Sequence, residues 1–165
     1  ITQRWWSMTF ASDVKKYADK MQLDADKVLR ASVLRVFSET ISATPVDAEG
    51  HKVKGVLIGG GTARNSWFTE LNGTPQGLRR PPDRTGNAAM GEMMEAANRM
   101  KFGDYIYIIN RTPYIHKLEF GGYPNPAKKG RKTVGGYSRQ APKGMMRLAI
   151  RRAKANIKRL IKGMT

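Results

Sequence analysis

His116 and Glu119 stand three residues apart, a spacing that puts two side chains on one helical face and could begin a metal site. A stable transition-metal site takes three or four ligands. Neither His51, the only other histidine, nor a second His/carboxylate pair stands at suitable spacing. A hydrogen-bonded structural role is therefore the favoured reading of His116. Asp83, Glu92 and Glu95 are scattered over a loop and a helix, without the clustered carboxylates that two-metal nucleases need. Gly55-Val56-Leu57-Ile58-Gly59-Gly60-Gly61-Thr62 comes within one residue of a phosphate-binding loop, but Gly61 stands where the phosphate-reaching lysine is required. Nucleotide binding is rejected on that ground. With no cysteine, thiolate metal sites, cysteine nucleophiles and disulfides are excluded, which suits folding in a reducing cytoplasm. These observations argue against an enzyme and assign no catalytic, metal-binding or cofactor-binding residue.

The strongest chemical signal is cationic. The formal charge is +17, and it is unevenly spread: residues 1 to 119 carry 17 Lys and Arg against all 13 Asp and Glu, while residues 120 to 165 carry 13 basic residues and no acid. Such a block implies a polyanionic partner, either nucleic acid or an acidic protein face, with a membrane surface less favoured. Lys128-Lys129-Gly130-Arg131-Lys132 forms a basic loop flanked by Tyr123 and Tyr137, with Arg139 just beyond. Cations on phosphates bind without sequence preference and lose affinity as salt rises, and bases could stack on the tyrosines. The loop would touch passing DNA weakly and non-specifically if it faced a channel, or acidic neighbouring surfaces if it faced outward.

The elements that must position these groups follow from periodicity. Residues 1 to 10, with Trp5-Trp6, form an arm whose tryptophans should pack on the domain or a neighbouring subunit. Ser12 is a candidate N-cap for an amphipathic helix carrying Val14, Tyr17, Ala18, Met21, Ala25, Val28, Leu29, Ser32 and Val36. A break in the helix is expected near Leu23-Asp24, and the helix should end before Pro45. Its stripe suits core packing or packing between subunits. Residues 46 to 65 read as an extended arm or hairpin, Ser66 to Leu71 as a half-buried strand closed by Asn72-Gly73, and 74 to 86 as a loop. Asn87 to Met100 is helical with a methionine-rich face (Ala88, Met90, Met93, Met94, Ala97, Met100), fit for core or an adaptable interface. Asp104 to Asn110 reads as a strand buried on both faces; Pro113 ends it and Gly121-Gly122 stops the short segment after it. Residues 121 to 138 read as an extended loop. A basic helix runs from about Pro142, placed in its first turn, to Ile161.

The whole is one α+β domain over 1-165: a small, mostly antiparallel sheet covered by a long N-terminal helix, a middle helix and a basic C-terminal helix. No apolar run approaches the roughly 20 residues that cross a bilayer, and the start lacks a secretory pattern, so the expectation is a soluble, non-exported protein.

Four short segments carry a family resemblance: Thr44-Pro45-Val46-Asp47, Arg64-Asn65-Ser66-Trp67, Pro113-Tyr114 through Leu118-Glu119-Phe120-Gly121, and Ser138-Arg139-Gln140-Ala141-Pro142-Lys143-Gly144-Met145-Met146-Arg147. In this order they resemble the tail-completion (head-to-tail joining, neck) family of long-tailed double-stranded-DNA bacteriophages. The stretches from Asp47 to Arg64 and from Gly121 to Ser138 are longer than the family pattern. The resemblance implies a structural virion protein, assembled in the host cytoplasm. It implies a homo-oligomeric ring, expected as a hexamer, that joins the head connector to the tail tube or tail terminator around the DNA channel. Pro45, Trp67, Pro113, Tyr114, Glu119, Phe120, Gly121, Ala141, Pro142, Gly144 and Met145 would then be structural: the residues from Pro113 to Gly121 shape the strand-to-loop turn, and those from Ala141 to Met145 start the last helix. Lys128, Lys129, Arg131, Lys132 and Arg139 would contact DNA or a partner. A tail terminator capping the tube is the nearest alternative; from another class, so is a cellular protein that binds nucleic acid through its basic C-terminal third.

Overall fold

The computed structural model describes residues 6–46, 51–53, 56–125 and 133–162, with side chains at 12–46, 59–125 and 133–156. Helix α1, Trp6–Ala43, runs 38 residues, about 57 Å. No Gly or Pro interrupts it, and the Asp24/Lys27, Asp26/Arg30 and Arg35/Glu39 pairs lie along it at three- and four-residue spacing. The break expected near Leu23-Asp24 is absent: the helix runs through it. Two further expectations fall with it: residues from Trp6 onward belong to the helix rather than to an arm, and Ser12 lies inside it rather than at its cap.

The glycine-rich stretch after Pro45 contains an antiparallel hairpin, β1 (His51–Val53) with β2 (Val56–Ile58). A single turn, α2 (Thr62–Asn65), leads into β3 (Trp67–Leu71). Helix α3 (Asn87–Arg99) follows, then β4 (Ile106–Asn110), which pairs antiparallel with β3 from Trp67 opposite Asn110 to Leu71 opposite Ile106. Asn72 takes a left-handed conformation after β3 and bonds with Tyr105 and Asp104, closing the ribbon's end. Helix α4 (Ile115–Phe120), a short hairpin of β5 (Thr133–Val134) and β6 (Tyr137–Ser138), and α5 (Met146–Lys162) complete the chain.

The architecture is α+β, with helix dominating and the strands forming separate two-stranded antiparallel sheets. α3 lies against β3, and α1 lies against α3 and α5. Ile41, Ala63, Trp67, Ala89, Met93, Leu118, Ala141 and Met145 form the core, with Leu34 and Phe37 of α1 packed on it. Fully burying a side chain the size of Ile41, Met93 or Leu118 contributes roughly 1.5–3 kcal/mol. Two expectations are corrected here. β4 is not buried on both faces: with a single partner strand, it leaves Tyr107, and Tyr105 just before it, about half exposed. The last helix starts at Met146 rather than Pro142; Pro142 and Gly144 form an isolated bridge in the turn before it. No helix among the described residues is long and apolar enough to cross a membrane.

Candidate functional site

The first four N–H groups of a helix lack partners inside it, and the helix dipole makes that end an attractive place for a negative charge. At α5 this need is met from another helix. Glu119, on the last turn of α4, accepts hydrogen bonds from the backbone N–H of Met145 (2.7 Å) and Met146 (3.0 Å) on Oε2, and from that of Arg147 (2.9 Å) on Oε1. The Arg147 side chain adds a bond from Nε to Oε1 at 3.1 Å and another from Nη2 to the Glu119 carbonyl. Burial alone would push the carboxyl's pKa up. The three backbone donors and Arg147 outweigh it, and the group is held below the usual carboxylate range. Arg147 is in turn held in its charged form, first by Tyr137 and then by Glu119.

Glycines make room for this lock. Gly144 has φ of 78°, and a Cβ there would stand 2.5 Å from the Glu119 carbonyl oxygen. Gly121 has φ of 83°, and its Cβ would stand 3.0 Å from the Gly136 carbonyl in the β5–β6 turn, whose other contact is the Tyr123 N–H. Outside the lock, the Arg147 guanidinium lies 4.8 Å over the Phe120 ring, which packs 4.6 Å from His116. His116 is exposed, and its contact is this stack rather than a hydrogen-bonded site. His116 and Glu119 do share α4, but the carboxylate is turned to α5. Among the described residues no group of three His, Cys, Asp or Glu side chains could hold a metal ion.

A second lock closes the other end of the core. Thr44 follows α1, and Pro45 prevents the helix from continuing. Arg64 donates from Nε (3.1 Å) and Nη2 (2.9 Å) to the Thr44 carbonyl and from Nη1 (2.7 Å) to that of Arg84. The Trp67 indole donates to the Thr44 hydroxyl at 2.8 Å, which itself donates to the Thr40 carbonyl. Val46 and Gln140 exchange two hydrogen bonds, tying the segment after α1 to the turn before α5.

Most of the described residues singled out from sequence thus meet around one core. Trp67, Glu119, Gly121, Ala141, Gly144 and Met145 are buried, Tyr114 is half-buried with its phenol pKa raised by burial, and Pro45 flanks the second lock. Pro113, Phe120 and Pro142 are exposed, as is Arg139 beside Gln140. Lys128, Lys129, Arg131 and Lys132 lie outside the described residues. Glu119 does more than shape its own turn: it caps a helix that starts 27 residues later.

Two more of the carboxylates weighed for chemistry, Asp83 and Glu92, are structural as well. Asp83 accepts from the Thr85 hydroxyl and N–H and from the Asn87 N–H, which lowers its pKa, and so caps the start of α3. Glu92 pairs with Arg80 and accepts the Thr69 N–H. Arg80, which sequence reasoning did not single out, lies 4.1 Å over the Phe68 ring and donates to the Asn65 and Trp67 carbonyls. It shares a pocket of about 280 Å³ with Thr62, Arg79, Pro81 and Pro82. Beside it Gly59, Gly60 and Gly61 all have positive φ, and a Cβ on Gly61 would stand 2.2 Å from the Asp83 carbonyl oxygen. The glycine there is needed for close chain packing.

The acid balance sharpens the charge picture. After Asp104 the only acid in the sequence is Glu119, and that carboxylate is buried against α5. Arg139, Lys143, Arg147, Arg151, Arg152 and Lys154 are exposed on the same part of the chain. Arg152 reaches across to Glu39 of α1 at 3.8 Å. No family model, curated protein or solved structure matches the chain.

Proposed function

We propose that this chain is a structural virion protein of a tailed bacteriophage, a tail-completion or neck component. In this reading copies assemble into a ring, taken as a hexamer, between the head connector and the tail tube, and genomic DNA passes through the channel. The observation that supports the family reading is the convergence of the four family-like segments. They are separated in sequence, yet Thr44 with Arg64 and Trp67, and Glu119 with Gly144, Met145 and Arg147, form two locks on one core. Residues that resemble a family's recurrent positions are here the ones that hold the fold together.

Function then lies in assembly and charge. Acidic surfaces above or below the ring, or the DNA within it, would meet the C-terminal cations, and DNA binding would be weak and non-specific. A second reading, a nucleic-acid-binding protein of another kind, is favoured by the same acid-free surface. The two separate on duplex binding and particle shape. The neck reading expects closed rings by electron microscopy and weak DNA affinity, and replacement of Lys128, Lys129, Arg131 and Lys132 by Ser should lower DNA contact or head-to-tail joining while the fold persists. Monomers or dimers that bind DNA tightly and with steep salt dependence would favour the second reading.

A further inference from the structure

We infer that the N-terminal half of α1 is a docking surface for a second copy of this chain, through the stripe Val14, Tyr17, Ala18, Met21, Ala25 and Val28. The inference rests on the reading above that copies of this chain associate, and it names a two-fold contact in which like stripes meet; the contacts that close a ring join unlike surfaces and are separate from it.

Residues 12 to 23 of α1 are all exposed, and Val14, Tyr17, Met21 and Leu23 are each more than half exposed. A helix in water draws most of its stability from burying an apolar face, and this stretch has no face buried within the chain. At 100° per residue the stripe occupies one side of the helix. Leu23, Asp26 and Arg30 occupy the opposite side, where Asp26 accepts the Phe102 N–H and Arg30 donates to the Met100 carbonyl beyond α3. Followed toward the C-terminus, the stripe continues through Ser32 and Val36 to Glu39, which meets Arg152 of α5. It is therefore the outward extension of a seam that already packs helix on helix. α5, at 17 residues or about 25 Å, is too short to cover a helix of about 57 Å. In sequence, Phe10 and Trp6 continue the same spacing.

Charge selects the occupant. The chain as a whole is strongly cationic, so two copies repel over most of their surface. Residues 12 to 28 carry four Asp and four Lys and are neutral. Beside the stripe runs a row of alternating sign, Asp13, Lys20, Asp24 and Lys27, with Lys27 already 3.7 Å from Asp24. Such a row offers little to a polyanion, but its two signs can complement those of an identical row.

The absence of native cysteine makes a direct test clean. Met21→Cys on the stripe and Leu23→Cys on the opposite side are each oxidised in the full-length protein, and Tyr17→Asp/Met21→Asp is compared with wild type by concentration-dependent light scattering. The expected result is disulfide-linked dimer from Met21→Cys at several times the yield from Leu23→Cys. Self-association should weaken at least tenfold in the double variant, with its circular dichroism unchanged and its melting temperature equal to that of wild type at concentrations where both are monomeric. Equal cross-linking of the two cysteines, or an assembly indifferent to the double variant, overturns the inference and leaves the ring reading standing on its other interfaces. A wild-type protein that stays monomeric overturns the inference as well; the ring reading is then judged by imaging with connector or tail present.

Discussion

One helix leads two lives in this protein. The C-terminal half of α1 sits in a closed setting, with Thr40 and Ile41 fully buried, Phe37 against the core and Thr44 gripped by Arg64 and Trp67. The N-terminal half, whose apolar stripe lies on the side of α1 away from Phe37 and Ile41, has residues 12 to 23 in water. The difference is partner supply: α3 and α5 run out before α1 does. Periodicity shows that a helix has an apolar side, whereas only the lengths of its neighbours show whether the same chain covers it.

Substitutions separate the two halves by size of effect. Trp67→Ala removes a buried ring and the indole bond to Thr44, and should cost about 4 kcal/mol in chemical denaturation. Glu119→Ala leaves three N–H groups at the start of α5, those of Met145, Met146 and Arg147, without their acceptor and should cost about 3 kcal/mol, lost as helicity and as melting temperature together. Glu119→Gln also gives a pH signature. Because the folded pKa of Glu119 is lowered, its stabilisation is fully present above the unfolded value of roughly 4.3 and is lost as pH falls through the folded value. Stability of the Gln variant should therefore fall less over that acid range than that of wild type; parallel curves would deny the cap its charge. Smallest of all, Tyr17→Asp/Met21→Asp should change the stability of the single chain by no more than about 0.5 kcal/mol. A larger loss would mean that the exposed half is tied to the body after all.

The same contrast sets what could be read in advance. α3 and β3 were legible because a helical period ends near Gly103 and Asn72-Gly73 closes an alternating run; their bounds are Asn87–Arg99 and Trp67–Leu71. The buried face of α3 was legible only in part. Ala89 and Ala96 face inward while Ala88 and Met94 are exposed, because small side chains let the helix approach β3 and α1 closely. The start of α5 was misplaced for a physical reason: its cap is a side chain far away in sequence, so local capping signals pointed to Pro142 instead. Glu119 was legible as a special position through its family-like setting, but not its task. Arg80, whose partners are carbonyls, a ring and Glu92, carries no sequence signal at all.

Assembly into a ring is tested most directly by the solution mass of the intact chain, measured by light scattering coupled to size exclusion at low and high salt, with and without duplex DNA. A closed hexamer in either salt, unaltered by DNA, is the predicted result. A monomer that gains mass only when DNA is added would contradict it and assign the cationic surface to nucleic-acid binding by single copies.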